Sequence, residues 1–154
     1  ANKGKVFFFQ QRPGLNTRPF IIIKFKTMRD AFDDNGAPLP DEVRLTKVGG
    51  FVRSASLDEL LQLVNVLKGD MSFVGPRPAL FNQDDLIALR TAHGVHALVP
   101  GLTGWAQVNG RDELPIEQKV QFDVEYLVRQ SFGFDLYILW LTALKVITKD
   151  GVSH

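Results

Sequence analysis

Ser56-Leu57-Asp58-Glu59-Leu60-Leu61-Gln62-Leu63-Val64-Asn65-Val66-Leu67-Lys68-Gly69 is followed directly by Asp70-Met71-Ser72-Phe73-Val74-Gly75-Pro76-Arg77-Pro78. The first half is a helix pattern. Ser56 is a good N-cap with Glu59 three residues on, and Lys68-Gly69 marks the end. Leu57, Leu60, Leu61, Val64 and Leu67 recur at helical spacing, which predicts one buried face. The second half cannot continue the helix, because two prolines and a glycine fall within four residues. Upstream, Val6-Phe7-Phe8-Phe9 and Phe20-Ile21-Ile22-Ile23 flank the turn chemistry of Arg12-Pro13-Gly14, which predicts a β-hairpin. Residues 33–40 read as a surface loop, and 42–52 as a helix interrupted by Gly49 and Gly50.

Downstream, residues 82–93 read as a helix capped by Asn82, and residues 99–111 as a glycine-rich loop. A further helix begins near Pro115, and an apolar segment spans 132–146. Helices plus a hairpin, without strand–helix–strand alternation, predict an α+β fold in one domain, residues 1–154. The chain has 154 residues, 45% of them hydrophobic and 23% charged, which is a globular composition. With no cysteine it has no disulfide, no thiolate nucleophile and no thiolate-held metal. A net charge of +1 argues against a protein that holds nucleic acid chiefly through phosphate contacts. The longest apolar stretch, 136–144, falls well short of the ~20 residues of a membrane-spanning helix.

Several clusters carry chemistry. Asp58 and Glu59 stand in the first turn of the predicted helix, where acids commonly stabilise a helix start. The same setting can hold a carboxylate ionised as a nucleophile on phosphorus or as a Mg²⁺ ligand, and the two readings are compatible. Arg77, fixed between two prolines, is suited to bidentate capture of a phosphate, although Gly-Pro-Arg-Pro also serves as a rigid turn. Lys24 and Lys26 share one strand face, and Arg53 stands five residues before Asp58. His93 and His96 read as ordinary loop histidines. Phe132, Phe134, Tyr137, Trp140 and Leu144 fit either a core helix or one lying in a membrane interface.

Taken in order, these pieces resemble the bacterial sugar transferases, also called monotopic phosphoglycosyl transferases. The resemblance rests on Gln11-Arg12-Pro13-Gly14, Lys24-Phe25-Lys26-Thr27-Met28, Arg44-Leu45-Thr46-Lys47 and Ser56-Leu57-Asp58-Glu59-Leu60. It continues through Gly69-Asp70-Met71-Ser72-Phe73-Val74-Gly75-Pro76-Arg77-Pro78 and Pro100-Gly101-Leu102-Thr103-Gly104-Trp105-Ala106-Gln107-Val108-Asn109-Gly110-Arg111. It implies transfer of a phosphosugar from a UDP-sugar to polyprenyl phosphate, with release of UMP through an aspartyl-phosphosugar. Asp58 would be the nucleophile, and Glu59 its partner in catalysis and in holding Mg²⁺. Arg77 would hold phosphate, with Lys24 and Arg53 as further phosphate contacts and Arg111 and Asp123 at the nucleotide end.

The implied location is the cytoplasmic face of the bacterial inner membrane. Family members carry an N-terminal re-entrant membrane helix, and this sequence reads as beginning after it. Leu61 stands where the family often has proline. The competing reading is a non-catalytic module that docks on a membrane or on a glycan-assembly partner.

Overall fold

The computed structural model describes residues 6–54, 57, 60–110 and 114–148. Ser56, Asp58, Glu59 and Arg111, singled out above, lie outside the described residues. Strands β1 (Phe7–Pro13) and β2 (Pro19–Phe25) pair as the expected hairpin. Its turn is closed by the Gly14 amide donating to the Arg18 carbonyl at 2.7 Å, and by Asn16 and Thr17 at positive φ. The chain then packs as two compact units, residues 1–10 with 22–64, and residues 11–21 with 65–154.

In the first unit, β2 leads into short antiparallel bridges, Met28 with Leu45 and Phe32 with Pro38. Helices α1 (Asp41–Arg44) and α2 (Lys47–Ser54) follow. The helix expected over 42–52 is therefore two helices, parted at Leu45 and Thr46. Gly49 and Gly50 do not interrupt helix; they lie inside α2. A side chain at Gly49 would collide with the Thr27 carbonyl, so the glycine lets helix and strand end approach backbone to backbone.

Helix α3 (Gln62–Lys68) corrects the expected leucine face. Leu60, Val64 and Leu67 are exposed, Leu67 to 88%, whereas Gln62 and Asn65 are buried. The reason is hydrogen bonding: Asn65, with 0% exposure, donates through Nδ2 to the Ile21 carbonyl at 2.6 Å. Its own carbonyl accepts from the amides of Asp70 and Met71. Leaving those backbone groups buried and unpaired would cost more than exposing leucines.

The second unit is built on β3 (Ser72–Val74) and β4 (Gly101–Thr103), paired in parallel with Ser72 opposite Gly101 and Val74 opposite Thr103. Helix α4 (Asp84–Ala92) and a 3-10 turn, Val95–Ala97, lie between them in sequence, so one parallel strand–helix–strand unit is present where none was expected. Residues 99–111, expected to be loop, hold β4 and α5 (Trp105–Val108). Helix α4 is preceded by Gln83 and not capped by Asn82. Helix α6 (Ile116–Arg129) starts after Pro115, which has no N–H to leave unpaired, and carries Glu117 in its first turn and Arg129 in its last, as the helix dipole favours.

Helix α7 (Phe132–Thr148) closes the unit. Phe134 and Ile138 join Val74 and Tyr126 in one core cluster, with Leu98, Trp105 and Val108 packed on it. A second cluster joins Ala79, Leu86 and Val120. Outside its buried stripe α7 is apolar and exposed, with Phe132 at 80% and Trp140 at 61%. Both readings of this segment thus have a face. No helix among the described residues is long and apolar enough to cross a membrane.

Three glycines lock the strand ends. A side chain at Gly101 would meet the Gly75 amide, one at Gly104 the Gly75 carbonyl, and one at Gly75 the Val99 carbonyl. The backbone that leads into Arg77 is therefore in direct contact with the backbone that leads into α5.

Candidate active site

The segment Gly75-Pro76-Arg77-Pro78 brings two prolines that donate nothing, yet its three consecutive carbonyls are all satisfied. The Pro76 carbonyl accepts from the Gly101 amide at 2.9 Å, the Arg77 carbonyl from Arg90 Nη1 at 2.7 Å, and the Pro78 carbonyl from Arg12 Nη1 at 3.1 Å. Two guanidinium groups thus grip the backbone on which a third is mounted. Arg90, near the end of α4, is itself held by α6: its Nε donates to Asp123 Oδ2 at 2.9 Å. Asp123 is 2% exposed. Burial pushes its carboxyl above the usual range, with Arg90 and Lys119 opposing the rise.

Beside this segment lies a cavity of about 290 Å³ whose polar side chains are Arg12, Arg77, Arg90, Lys119, Gln83 and Gln107. Among the described residues, no acidic side chain lines it. Four described cations gathered around one hollow raise the local positive potential, so the arrangement favours an anion with several oxygens, such as a diphosphate. A smaller hollow of about 40 Å³, walled by Pro13, Pro76, Pro78 and Pro100, shares Arg77 and Arg90 with it and has His96 in its lining.

Helix α5 contributes Gln107, and its seat is fixed by Trp105. The indole N–H donates to Glu125 Oε2 at 2.8 Å, its ring packs on Phe134 at 5.1 Å, and the Arg129 guanidinium lies over both rings. Such aromatic and cation–π contacts hold a four-residue helix that has little stability of its own.

A family profile described as bacterial sugar transferase matches residues 1–149. The chain belongs to that family. Within it, a sugar transferase of Bacillus subtilis named EpsL is 52% identical over 149 residues, covering 97% of this chain and 73% of that protein. A UDP-glucose:undecaprenyl-phosphate glucose-1-phosphate transferase of Xanthomonas campestris is 41% identical, covering 96% of this chain and 32% of its own length. The Escherichia coli protein of the same name is 40% identical, covering 94% and 33%. This chain therefore spans most of EpsL but about a third of those two transferases.

Of the residues that the sequence pointed to, the structure brings Arg77 and Asp123 together through Arg90. Asp123 does not line the cavity; it sits behind Arg90. Lys24, in β2, and Arg53, exposed near the end of α2, belong to the first unit. Lys26 pairs with Asp30. Among the described residues, no group of three His, Cys, Asp or Glu side chains could hold a metal ion.

Sequence reasoning missed Arg12, Arg90 and Lys119 as site residues. Arg12 carried a signal, because Arg12-Pro13 repeats the Arg-Pro step of Arg77-Pro78. Arg90 carried none, since a basic residue in a last helical turn is ordinary.

Proposed function

We propose that this chain transfers a sugar 1-phosphate from a UDP-sugar to undecaprenyl or a related polyprenyl phosphate, with release of UMP. The observation that carries this reading is the cavity ringed by Arg12, Arg77, Arg90 and Lys119, with the Arg77 backbone clamped on both sides. Family membership and the names of the relatives support the choice of substrates. Phosphoryl transfer needs charge neutralisation and in-line positioning above all, and fixed guanidinium groups supply both.

In the first step an Asp58 carboxylate oxygen forms a bond to the sugar-bearing phosphorus, and the bridging P–O bond breaks, with its electron pair leaving on UMP. In the second, a phosphate oxygen of the polyprenyl phosphate attacks the same phosphorus, and the Asp58 carboxylate departs. The products are polyprenyl diphospho-sugar and free enzyme, so a soluble donor and a lipid acceptor need not be bound together. Glu59 takes part as base or ligand. The adjacent carboxylates of Asp58 and Glu59 are hard oxygen donors of the kind Mg²⁺ prefers, and they would hold it together with phosphate oxygens. Bound there, the ion would neutralise charge on the phosphates.

The acceptor implies work at a membrane surface, where the exposed aromatic face of α7 would rest in the headgroup region. The test is incubation with UDP-glucose and Mg²⁺ in the absence of lipid. UMP release, with a gain in protein mass equal to hexose phosphate less one water, is expected for the natural sequence and not for Asp58→Asn. UMP release by Asp58→Asn at the unaltered rate would refute the nucleophile. Release that occurs only with lipid present would refute the two-step route.

A further inference from the structure

Among the described residues, the lining of the cavity beside Arg77 is rich in donors and poor in acceptors. Arg12, Arg77, Arg90 and Lys119 can only donate hydrogen bonds. The carbonyl of Gln83 is already engaged, accepting from the Leu80 amide at 2.8 Å. Among the described lining residues, Gln107 is the one whose side-chain carbonyl accepts no hydrogen bond. Its Oε1 is buried and has no hydrogen-bond partner, one of two such atoms among the described residues. A buried carbonyl without a donor is unfavourable, and α5 is held so firmly through Trp105 that the helix will not move to relieve it. The last torsion of a glutamine is broad and roughly two-fold, so the carboxamide can turn toward an occupant without backbone motion.

The ionised phosphate oxygens of a nucleotide diphosphate sugar cannot satisfy that carbonyl, because they too are acceptors. A ligand that pairs with the cations and also with Gln107 must carry a phosphate and, close by, an O–H or N–H group.

We propose that Gln107 is a ligand-reading residue of the cationic cavity: its carboxamide oxygen accepts a hydrogen bond from a hydroxyl or N–H of the sugar nucleotide whose phosphates the arginines hold. This rests on the donor-binding reading of the cavity and adds to it the group that tells a sugar nucleotide from a bare phosphate. The hydrogen-bonding group sits on the hexose or on the nucleoside, and the ligands chosen below separate the two.

The test is calorimetric binding to the whole chain of UDP-glucose, UDP and inorganic pyrophosphate. Gln107→Met keeps the volume and removes the acceptor. It should weaken UDP-glucose about tenfold, the loss of one hydrogen bond, while pyrophosphate binding stays within about twofold of the original. Equal loss with UDP places the group on the nucleoside; loss with UDP-glucose alone places it on the hexose. Gln107→Glu keeps an acceptor oxygen and adds charge. It should weaken all three ligands by a similar factor and preserve the preference for UDP-glucose over pyrophosphate, which covers the case in which the methionine variant folds poorly. Unchanged UDP-glucose binding in Gln107→Met, or a pyrophosphate loss as large as the UDP-glucose loss, overturns the proposal. Failure of the underlying reading looks different: pyrophosphate would not bind the natural sequence, or Arg77→Ala would leave its binding unchanged.

Discussion

Removing the Asp123 carboxylate tests how the Arg77 loop is held. Arg90 and Asp123 meet at 2.9 Å with side chains only 12% and 3% exposed, so both charges are largely out of water. With charge centres about 4 Å apart and an effective dielectric near 20, their attraction is about 4 kcal/mol. Deleting one partner from a buried pair strands the other and costs about 3–5 kcal/mol. Asp123→Ala should therefore lose about 3 kcal/mol or more of folding stability in urea titrations. The double replacement Arg90→Met with Asp123→Leu leaves no charge stranded but removes the donor to the Arg77 carbonyl, so it should recover part of the loss and end about 1–2 kcal/mol below the original. Pyrophosphate binding should not recover with it. Arg90 lines the cavity and holds the Arg77 carbonyl, and methionine does neither. Two results would refute the reasoning: an Asp123→Ala cost within about 0.5 kcal/mol, the range of ordinary surface changes, or a double variant that binds pyrophosphate as well as the natural sequence.

Burial raises the Asp123 carboxyl above its unfolded value near 3.9, so between those two values the folded state binds a proton that the unfolded state does not. This group's contribution to stability accordingly rises as pH falls through that window and declines as pH rises. Urea midpoints measured against pH should show that component in the natural sequence and not in Asp123→Asn; identical slopes would contradict it. Gly101→Ala should cost about 3 kcal/mol or more by overpacking, because the new carbon would collide with the Gly75 amide and lie 2.6 Å from the Thr103 carbonyl oxygen; a thermal melt that does not shift would count against the contact. Trp140→Ala should weaken binding to anionic vesicles about tenfold, read by co-sedimentation, and equal binding would remove α7 from the membrane surface.

The hairpin, α6 and α7 were legible because each carries a local signal: turn residues between β-prone runs, a proline start with an acid behind it, and a long apolar segment. The leucines of α3 misled for an equally physical reason. Periodicity shows which residues share a face but not whether that face is buried, and the Ile21 carbonyl, distant in sequence, draws Asn65 inward instead. Strand β4 and helix α5 were hidden by their glycines, which signal a loop when read locally and a close backbone crossing when folded. Arg77 was visible from its flanking prolines and from the family pattern. Arg90 was not, because its role arises only from the packing of α4 against α6. Three of the four cavity cations thus became candidates only once the chain was folded.

Gly75, Gly101 and Gly104 set the dimensional tolerance of the site. Where side chains meet, a change on one partner can be absorbed by trimming the other; where main chain meets main chain, nothing is available to trim. The spacing between the arginine loop and the helix bearing Gln107 is therefore inherited as a fixed gauge. On the proposed donor-binding reading, changes in which sugar nucleotide is accepted must then come from replacing residues around the hollow and not from widening it.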